Sequence, residues 1–197
     1  MKVLYIFDFD GTLADTLPLA FMCFRETFLK FNGELLNNAE IEQHFGGSEQ
    51  AIIEKVVKGS QEQKQQAVEF FYQLYQTNHS LYAQCPDKIR TMLAKLKQQD
   101  KKIAVFTGKG RRSLDYSLSA LGLTDCFDLT ISDDDIAHSK PAPDGLLKIL
   151  AHFALEPTQA IYFGDSDADL ISGQGAGVET HKIEWISNPD SPVVLKE

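Results

Sequence analysis

Five consecutive apolar residues, Val3-Leu4-Tyr5-Ile6-Phe7, run straight into Asp8-Phe9-Asp10-Gly11-Thr12. A run that short, rich in β-branched and aromatic side chains and without alternation, predicts a strand buried on both faces, which is the environment of a parallel sheet. Parallel strands cannot be joined by tight turns, so crossover segments, usually helices, must follow. The two aspartates at the exit add a chemical constraint. Residues two apart in a strand point the same way, so extended backbone would put Asp8 and Asp10 on one face, and Gly11 lets the chain turn and backbone N–H groups approach a ligand. Two carboxylates that close need a cation between them, or one must hold a proton. The plainer reading, a strand that ends in a solvated Asp-Gly turn, stays open on these residues alone.

The crossover pattern is legible downstream. After the first strand, Asp15 and Thr16 are placed to cap a helix whose apolar line is Leu17, Phe21, Phe24, Phe28 and Phe31, ended by Asn32-Gly33. A short helix around 38–44, the break Gly46-Gly47, a helix over about 48–58 and another carrying Ala67, Phe71, Leu74 and Tyr75 follow. From Cys85 onward helix and strand alternate, with strands predicted at 102–107, 128–132, 160–163 and 179–183. The expected fold is therefore α/β: a doubly wound parallel sheet of Rossmann type, interrupted after its first strand by an inserted α-helical block. The domain division is residues 1–14 and 83–197 as the core, with 15–82 as the helical insertion.

Charge narrows the partners. With 28 acidic against 19 Lys and Arg residues the net charge is −9, so no basic field is available for nucleic acid or an anionic membrane, and an anionic substrate must be held by a local site. Cys23, Cys85 and Cys126 are scattered and odd in number, which suits a reducing cytoplasm. No signal peptide and no membrane span are expected.

In open parallel sheets ligands bind at the carboxyl ends of the strands. The side chains predicted to meet there are Asp8 and Asp10, Thr107-Gly108-Lys109, Lys140 in the loop beyond the third strand, and Gly164-Asp165 with Asp169. Acids, a hydroxyl, a glycine amide and a lysine suit one dianion plus one hard cation. Other features are given ordinary readings. Gly108-x-Gly110-x-x-Ser113 lacks the last glycine of a dinucleotide fingerprint. Asp133-Asp134-Asp135 and Arg111-Arg112 read as solvated helix starts, the five histidines mostly as surface residues, and the Phe21, Phe24, Phe28 stripe as helical core. His44 is kept open because the neighbouring loop faces the expected site.

In order along the chain, Asp8-Phe9-Asp10-Gly11-Thr12-Leu13, Phe106-Thr107-Gly108-Lys109, Lys140-Pro141-Ala142-Pro143-Asp144 and Gly164-Asp165-Ser166 with Asp169 resemble the four motifs of the haloacid dehalogenase superfamily. The likeness is to its phosphoglycolate phosphatase-like members with a helical cap, here residues 15–82, in which Phe45-Gly46-Gly47-Ser48 stands at the cap's specificity loop. The resemblance implies a phosphatase of small phosphomonoesters, of phosphoglycolate or sugar phosphate type, acting as a cytoplasmic monomer or homodimer. It implies Asp8 as nucleophile and Asp10 as general acid and base. It implies Mg²⁺ on Asp8, the Asp10 main-chain carbonyl and Asp165. Gly11, Thr107, Gly108 and Lys140 would hold the phosphate, and Asp169 would orient Lys140 or a metal-bound water. A cap-containing sugar phosphomutase shares these motifs, but Thr12 favours the phosphatases, and Leu19 and Ala20 stand where such mutases use a histidine. Dehalogenases lack the second acid and the metal site. A catalytically silent binding or regulatory module on the same fold is the alternative of another class.

Overall fold

The computed structural model describes residues 2–188 and 190–195. Its centre is β1 (Leu4–Phe7), whose residues are all buried. Parallel pairing places β1 between β2 (Lys102–Phe106) and β4 (Ala160–Gly164), with Leu4 opposite Lys102 on one side and Ala160 on the other. The outer strands are β3 (Leu129–Ile131) and β5 (Glu179–Lys182), and the spatial order is β3-β2-β1-β4-β5, all parallel. The unbroken apolar run now has its cause. Leu4 and Ile6 face one core with Phe106 and Tyr162, whereas Tyr5 and Phe7 face the other with Val105 and Phe163. Helices α5 (Asp87–Gln98) and α6 (Arg111–Ala120) cover the Tyr5 face through Ile89, Leu93, Leu114 and Leu118. Helices α7 (Asp144–Phe153) and α8 (Asp167–Ala176) cover the Leu4 face through Leu146, Ile149, Leu150 and Ala176. The edge strand β5 carries the polar sequence Glu179-Thr180-His181-Lys182, which discourages pairing with another chain.

Between β1 and α5 the chain is helical: α1 (Leu17–Asn32), α2 (Asn38–Glu42), α3 (Glu49–Val56) and α4 (Gln61–Tyr82). Their apolar stripes close a third core around Phe24, Phe28, Ile53, Phe71 and Tyr75, separate from the two on the sheet. Capping sets the breaks. Asn37 with Glu40 and Ser60 with Gln63 form reciprocal capping boxes, and Gly33 ends α1 in left-handed backbone at φ 71°. Thr16 occupies the N-cap position of α1 but makes no cap bond. Its hydroxyl donates to Asp10 instead, which corrects the capping role expected for it.

Candidate active site

The carboxyl ends of β1, β2 and β4 open into a cavity of about 520 Å³, roofed by α1, α3 and the loop between α2 and α3. Asp8 follows β1 directly, its N–H held by the Phe163 carbonyl at 2.8 Å, so the sheet itself fixes the first carboxylate. Gly11 then turns the chain at φ 75°, and a Cβ there would run into the Asp165 carboxylate. Only glycine allows the turn and that approach together.

Lys140, buried in the loop beyond β3, donates to Asp8 at 2.8 Å and to Asp169 at 2.6 Å. Asp169 also accepts the Ser166 hydroxyl at 2.6 Å and the Tyr162 hydroxyl, so it is spent on holding Lys140 and the start of α8. Burial would lift the Asp169 carboxyl, but the Lys140 charge and these hydrogen bonds outweigh it and hold it below the ordinary range. Asp8 behaves in the opposite way: burial, reinforced by Asp169 and Asp165, pushes it up to about 8 despite Lys140. Asp165 is likewise raised, to about 6, by burial and by Asp169. Both acids are raised because one ammonium is shared by a cluster of three carboxylates.

Carboxylate oxygens of Asp8, Asp165 and Asp169 lie within 4.8 Å of one another. A buried, oxygen-only cluster short of positive charge fits a hard divalent cation such as Mg²⁺. Thr107 and Gly108 line the same cavity, and nothing stands within 4 Å of where a Gly108 Cβ would be, so the backbone there is open to a ligand.

Asp10 lies apart from that cluster. Its carboxylate takes the Thr16 hydroxyl and, at 3.2 Å, the ammonium of Lys109. Lys109 is the functional residue that sequence reasoning left without a role. Its Nζ is buried, 3.4 Å from Glu49 and 4.7 Å above the Tyr75 ring. Burial opposes its charge, yet Asp10, Tyr75 and Glu49 together hold its pKa well above the ordinary value. The available signal was Thr107-Gly108-Lys109 itself; the partner Glu49 comes from α3, and no local pattern announces it.

Other expectations are corrected here. Asp133 begins a 3₁₀ turn and is buried against the cavity, accepting the Ser48 N–H at 2.7 Å, so it is no solvated helix start. Arg111 pairs with Asp115 and Asp135, and Arg112 with Glu69, and neither arginine lines the cavity. His79 is buried, 3.0 Å from the Ser117 hydroxyl, while His44 packs edge-on against Phe28 and does not line the cavity. In the phenylalanine stripe Phe28 is core, but Phe21 and Phe24 also form cavity wall.

Residues 5–183 match the family described as haloacid dehalogenase-like hydrolase. The phosphoglycolate phosphatase of Aquifex aeolicus is 31% identical over 185 residues, 94% of this chain and 85% of that one. The pyrophosphatase PpaX of Bacillus cereus is 27% identical over 183 residues, 91% and 82% of the two chains. Among solved structures, CbbY of Rhodobacter sphaeroides in complex with phosphate superimposes with a TM-score of 0.80 at 21% identity, over 91% and 85% of the chains, a likeness of fold.

Proposed function

The chain belongs to the haloacid dehalogenase-like hydrolase family and is one of its phosphatases, and from that premise we propose that it hydrolyses small phosphomonoesters through a phosphoryl-aspartate on Asp8, with Mg²⁺ as cofactor. The observation that carries the reading is the Asp8 carboxylate at a strand end, bridged by Lys140 to Asp169 and clustered with Asp165 and Asp169 on the floor of the cavity. In the first step an Asp8 oxygen bonds to phosphorus as the P–O bond to the alcohol breaks, and Asp10 gives its proton to the departing oxygen. In the second, Asp10 takes a proton from water as the water oxygen attacks phosphorus, releasing inorganic phosphate and restoring the Asp8 carboxylate. Thr107, the Gly108 amide and Lys140 hold the phosphoryl oxygens, with Gly11 beside them. Thr16 and Lys109 aim the Asp10 carboxylate, and Asp169 holds Lys140 in place.

Side chains of Asp8 and Asp165 and the Asp10 main-chain carbonyl would hold Mg²⁺. When bound, the ion offsets the repulsion between an anionic ester and the attacking carboxylate. Residues 15–82 act as a cap over a catalytic core of 1–14 and 83–197. Among the described residues no helix is long and apolar enough to cross a membrane. Together with the free cysteines this supports a cytoplasmic enzyme of phosphorylated metabolites, working as a monomer or homodimer.

The test is single-turnover release of the leaving group, the alcohol of an alkyl phosphate and the carboxylate of an acyl phosphate. Asp8→Asn should abolish both. Asp10→Asn should slow the alkyl ester by roughly 10²- to 10⁴-fold, the usual worth of a general acid, and the acyl phosphate much less. Equal losses for both substrates would remove Asp10 from the acid role, and an active Asp8→Asn enzyme would remove the phosphoryl-aspartate.

A further inference from the structure

The roof of the cavity is chemically unlike its floor. Leu17, Phe21 and Phe24 of α1, Phe45 of the glycine loop and Ile52 of α3 line it. The Phe45 ring stacks on Phe21 at 5.5 Å and tilts against Phe24 at 6.0 Å, so the three rings make one continuous wall. Phe45 remains 38% exposed, an aromatic face with room on one side.

Charge is distributed just as unevenly. Among the described residues lining the cavity the cations are Lys109 and Lys140, and each is already held between two carboxylates. The ionisable groups that the roof contributes are Glu42 and Glu49, both acids. Arg25, on α1, is turned to the Leu36 carbonyl at 3.2 Å and to the Asn38 side chain. A second anionic group on a substrate, such as a carboxylate or another phosphate, would therefore meet aromatic rings and like charge where it needs a cation. Leaving a charge unpaired in such a space is among the costliest things a site can do. A polyol would fare little better, since hydroxyls facing three phenyl rings lose their water without gaining partners. A cavity of about 520 Å³ has room for a phosphate and a ring-sized organic group.

We propose that the cavity selects phosphate monoesters whose organic part is uncharged and apolar, an aryl-bearing or alkyl group seated against Phe21, Phe24 and Phe45. The proposal rests on the phosphatase reading above and goes further, since it separates this chain's specificity from an anionic substrate such as 2-phosphoglycolate or pyrophosphate.

The experiment measures kcat and KM of the full chain with Mg²⁺ on benzyl phosphate, 2-phosphoglycolate, glucose 6-phosphate and pyrophosphate, with acetyl phosphate as the reference that needs least leaving-group protonation. Benzyl phosphate should exceed 2-phosphoglycolate and pyrophosphate in kcat/KM by at least about tenfold, the scale on which pocket contacts discriminate. Phe45→Ala should raise KM for benzyl phosphate by roughly five- to tenfold and lower the benzyl-to-acetyl ratio, with the loss in KM because the ring binds ground and transition states alike. Phe45→Arg should move the ranking toward 2-phosphoglycolate by about tenfold or more. A wild-type preference for an anionic ester or for glucose 6-phosphate overturns the proposal, as does a Phe45→Ala loss shared equally by all esters, which is the mark of a merely structural residue. The phosphatase reading is judged apart by Asp8: acetyl phosphate hydrolysis that Asp8→Asn abolishes keeps that reading even when the apolar preference fails. Absence of any hydrolysis dependent on Asp8 removes both.

Discussion

Lys109 shows how one buried side chain can tie chemistry to stability. Its ammonium lies 3.2 Å from Asp10 and 3.4 Å from Glu49, and without it the half-buried Asp10 and the buried Glu49 would lose the cation they share. Removing one member of a buried ionic cluster costs about 3–5 kcal/mol, so Lys109→Met should lower the urea midpoint markedly, and adding Glu49→Gln should restore part of the loss by deleting one stranded charge. A Lys109→Met protein within about 1 kcal/mol of wild type would show that the cluster carries no stability. The acids of the floor give a pH-dependent counterpart. Asp8 and Asp165 are lifted from 3.8 to about 8 and about 6, so the metal-free folded chain binds protons more tightly than the unfolded chain between these values. For a raised carboxyl the sign is fixed: stability is greatest below the ordinary pKa and is lost as pH rises through the folded one. A cation that takes the protons' place cancels that loss. Mg²⁺ should therefore raise the melting temperature more near pH 8 than near pH 5.5, with Asp165→Asn shrinking the difference. Equal increments at both pH values would mean that the ion does not bind these carboxylates. Asp8, Asp10 and Asp165 could be singled out in the sequence because they stand at or just beyond strand ends, and Lys140 and Asp169 because each lies in a local pattern in the loop or helix that follows a strand. The neighbours of Lys109, the burial of Asp133 and the Ser117 bond of His79 could not, because each depends on an element distant in the chain.

At the scale of elements, the N-terminus of α6 illustrates the same limit. Gly108-x-Gly110-x-x-Ser113 after a strand looks like a place for a phosphate, but the anion seated there belongs to the protein. Glu49 of α3 accepts the Gly110 N–H at 2.8 Å and the Ser113 hydroxyl at 2.5 Å, while the preceding Ser48 donates its N–H to Asp133 at 2.7 Å. The start of α3 is thus fastened to the sheet domain at two adjacent residues. A hydrogen bond to a charged, buried acceptor is worth roughly 1.5–3 kcal/mol, and Ser113→Ala removes one without touching the cavity. Hydrogen exchange of the α3 amides should accelerate roughly 10- to 100-fold in that variant, with the β1 and β4 amides unchanged. Unaltered α3 exchange would show that the helix is held by its apolar packing alone. The strands could be located closely from sequence since buried runs such as Ile103-Ala104-Val105-Phe106 are unambiguous. The end of β3 was less so: Asp128 reads as part of the strand, yet its carboxylate accepts the Ile103 N–H at 2.9 Å in place of a ladder carbonyl, and the strand begins at Leu129.

For the whole molecule the decisive feature is how little chain joins its helical block to its sheet. The two crossings pair with each other, Asp15 N–H to the Gln84 carbonyl at 2.8 Å and Gln84 N–H to the Asp15 carbonyl at 3.2 Å, and the block keeps an apolar core of its own. The remaining ties across the cleft are mostly polar: Ser48 and Glu49 on the one side of α6, and Tyr75, His79 and Glu69 of α4 meeting Ser117 and Arg112 on the other, where Tyr116 of α6 adds an apolar contact against the rings of Tyr75 and His79. Polar ties of this kind are individually worth about 1 kcal/mol, or roughly 1.5–3 kcal/mol where the acceptor is charged as at Glu49, far less than the cores they connect. The block should therefore open as a unit before the sheet does. Phe71 is the residue with which to show it, because it is fully buried and touches the rings of Phe24, Tyr72 and Tyr75. Phe71→Ala should cost the block roughly 3–5 kcal/mol through the lost packing and the cavity left behind. Native-state hydrogen exchange of this variant should show amides of 17–82 opening together at a lower free energy, while those of β1, β2 and β4 keep wild-type protection. Turnover should fall with the fraction of molecules whose roof is closed, since Phe21, Phe24 and Phe45 move with the block. Were the strand amides to lose protection by the same amount, the helices and the sheet would form one cooperative unit, and a roof that moves independently of the floor would have to be given up.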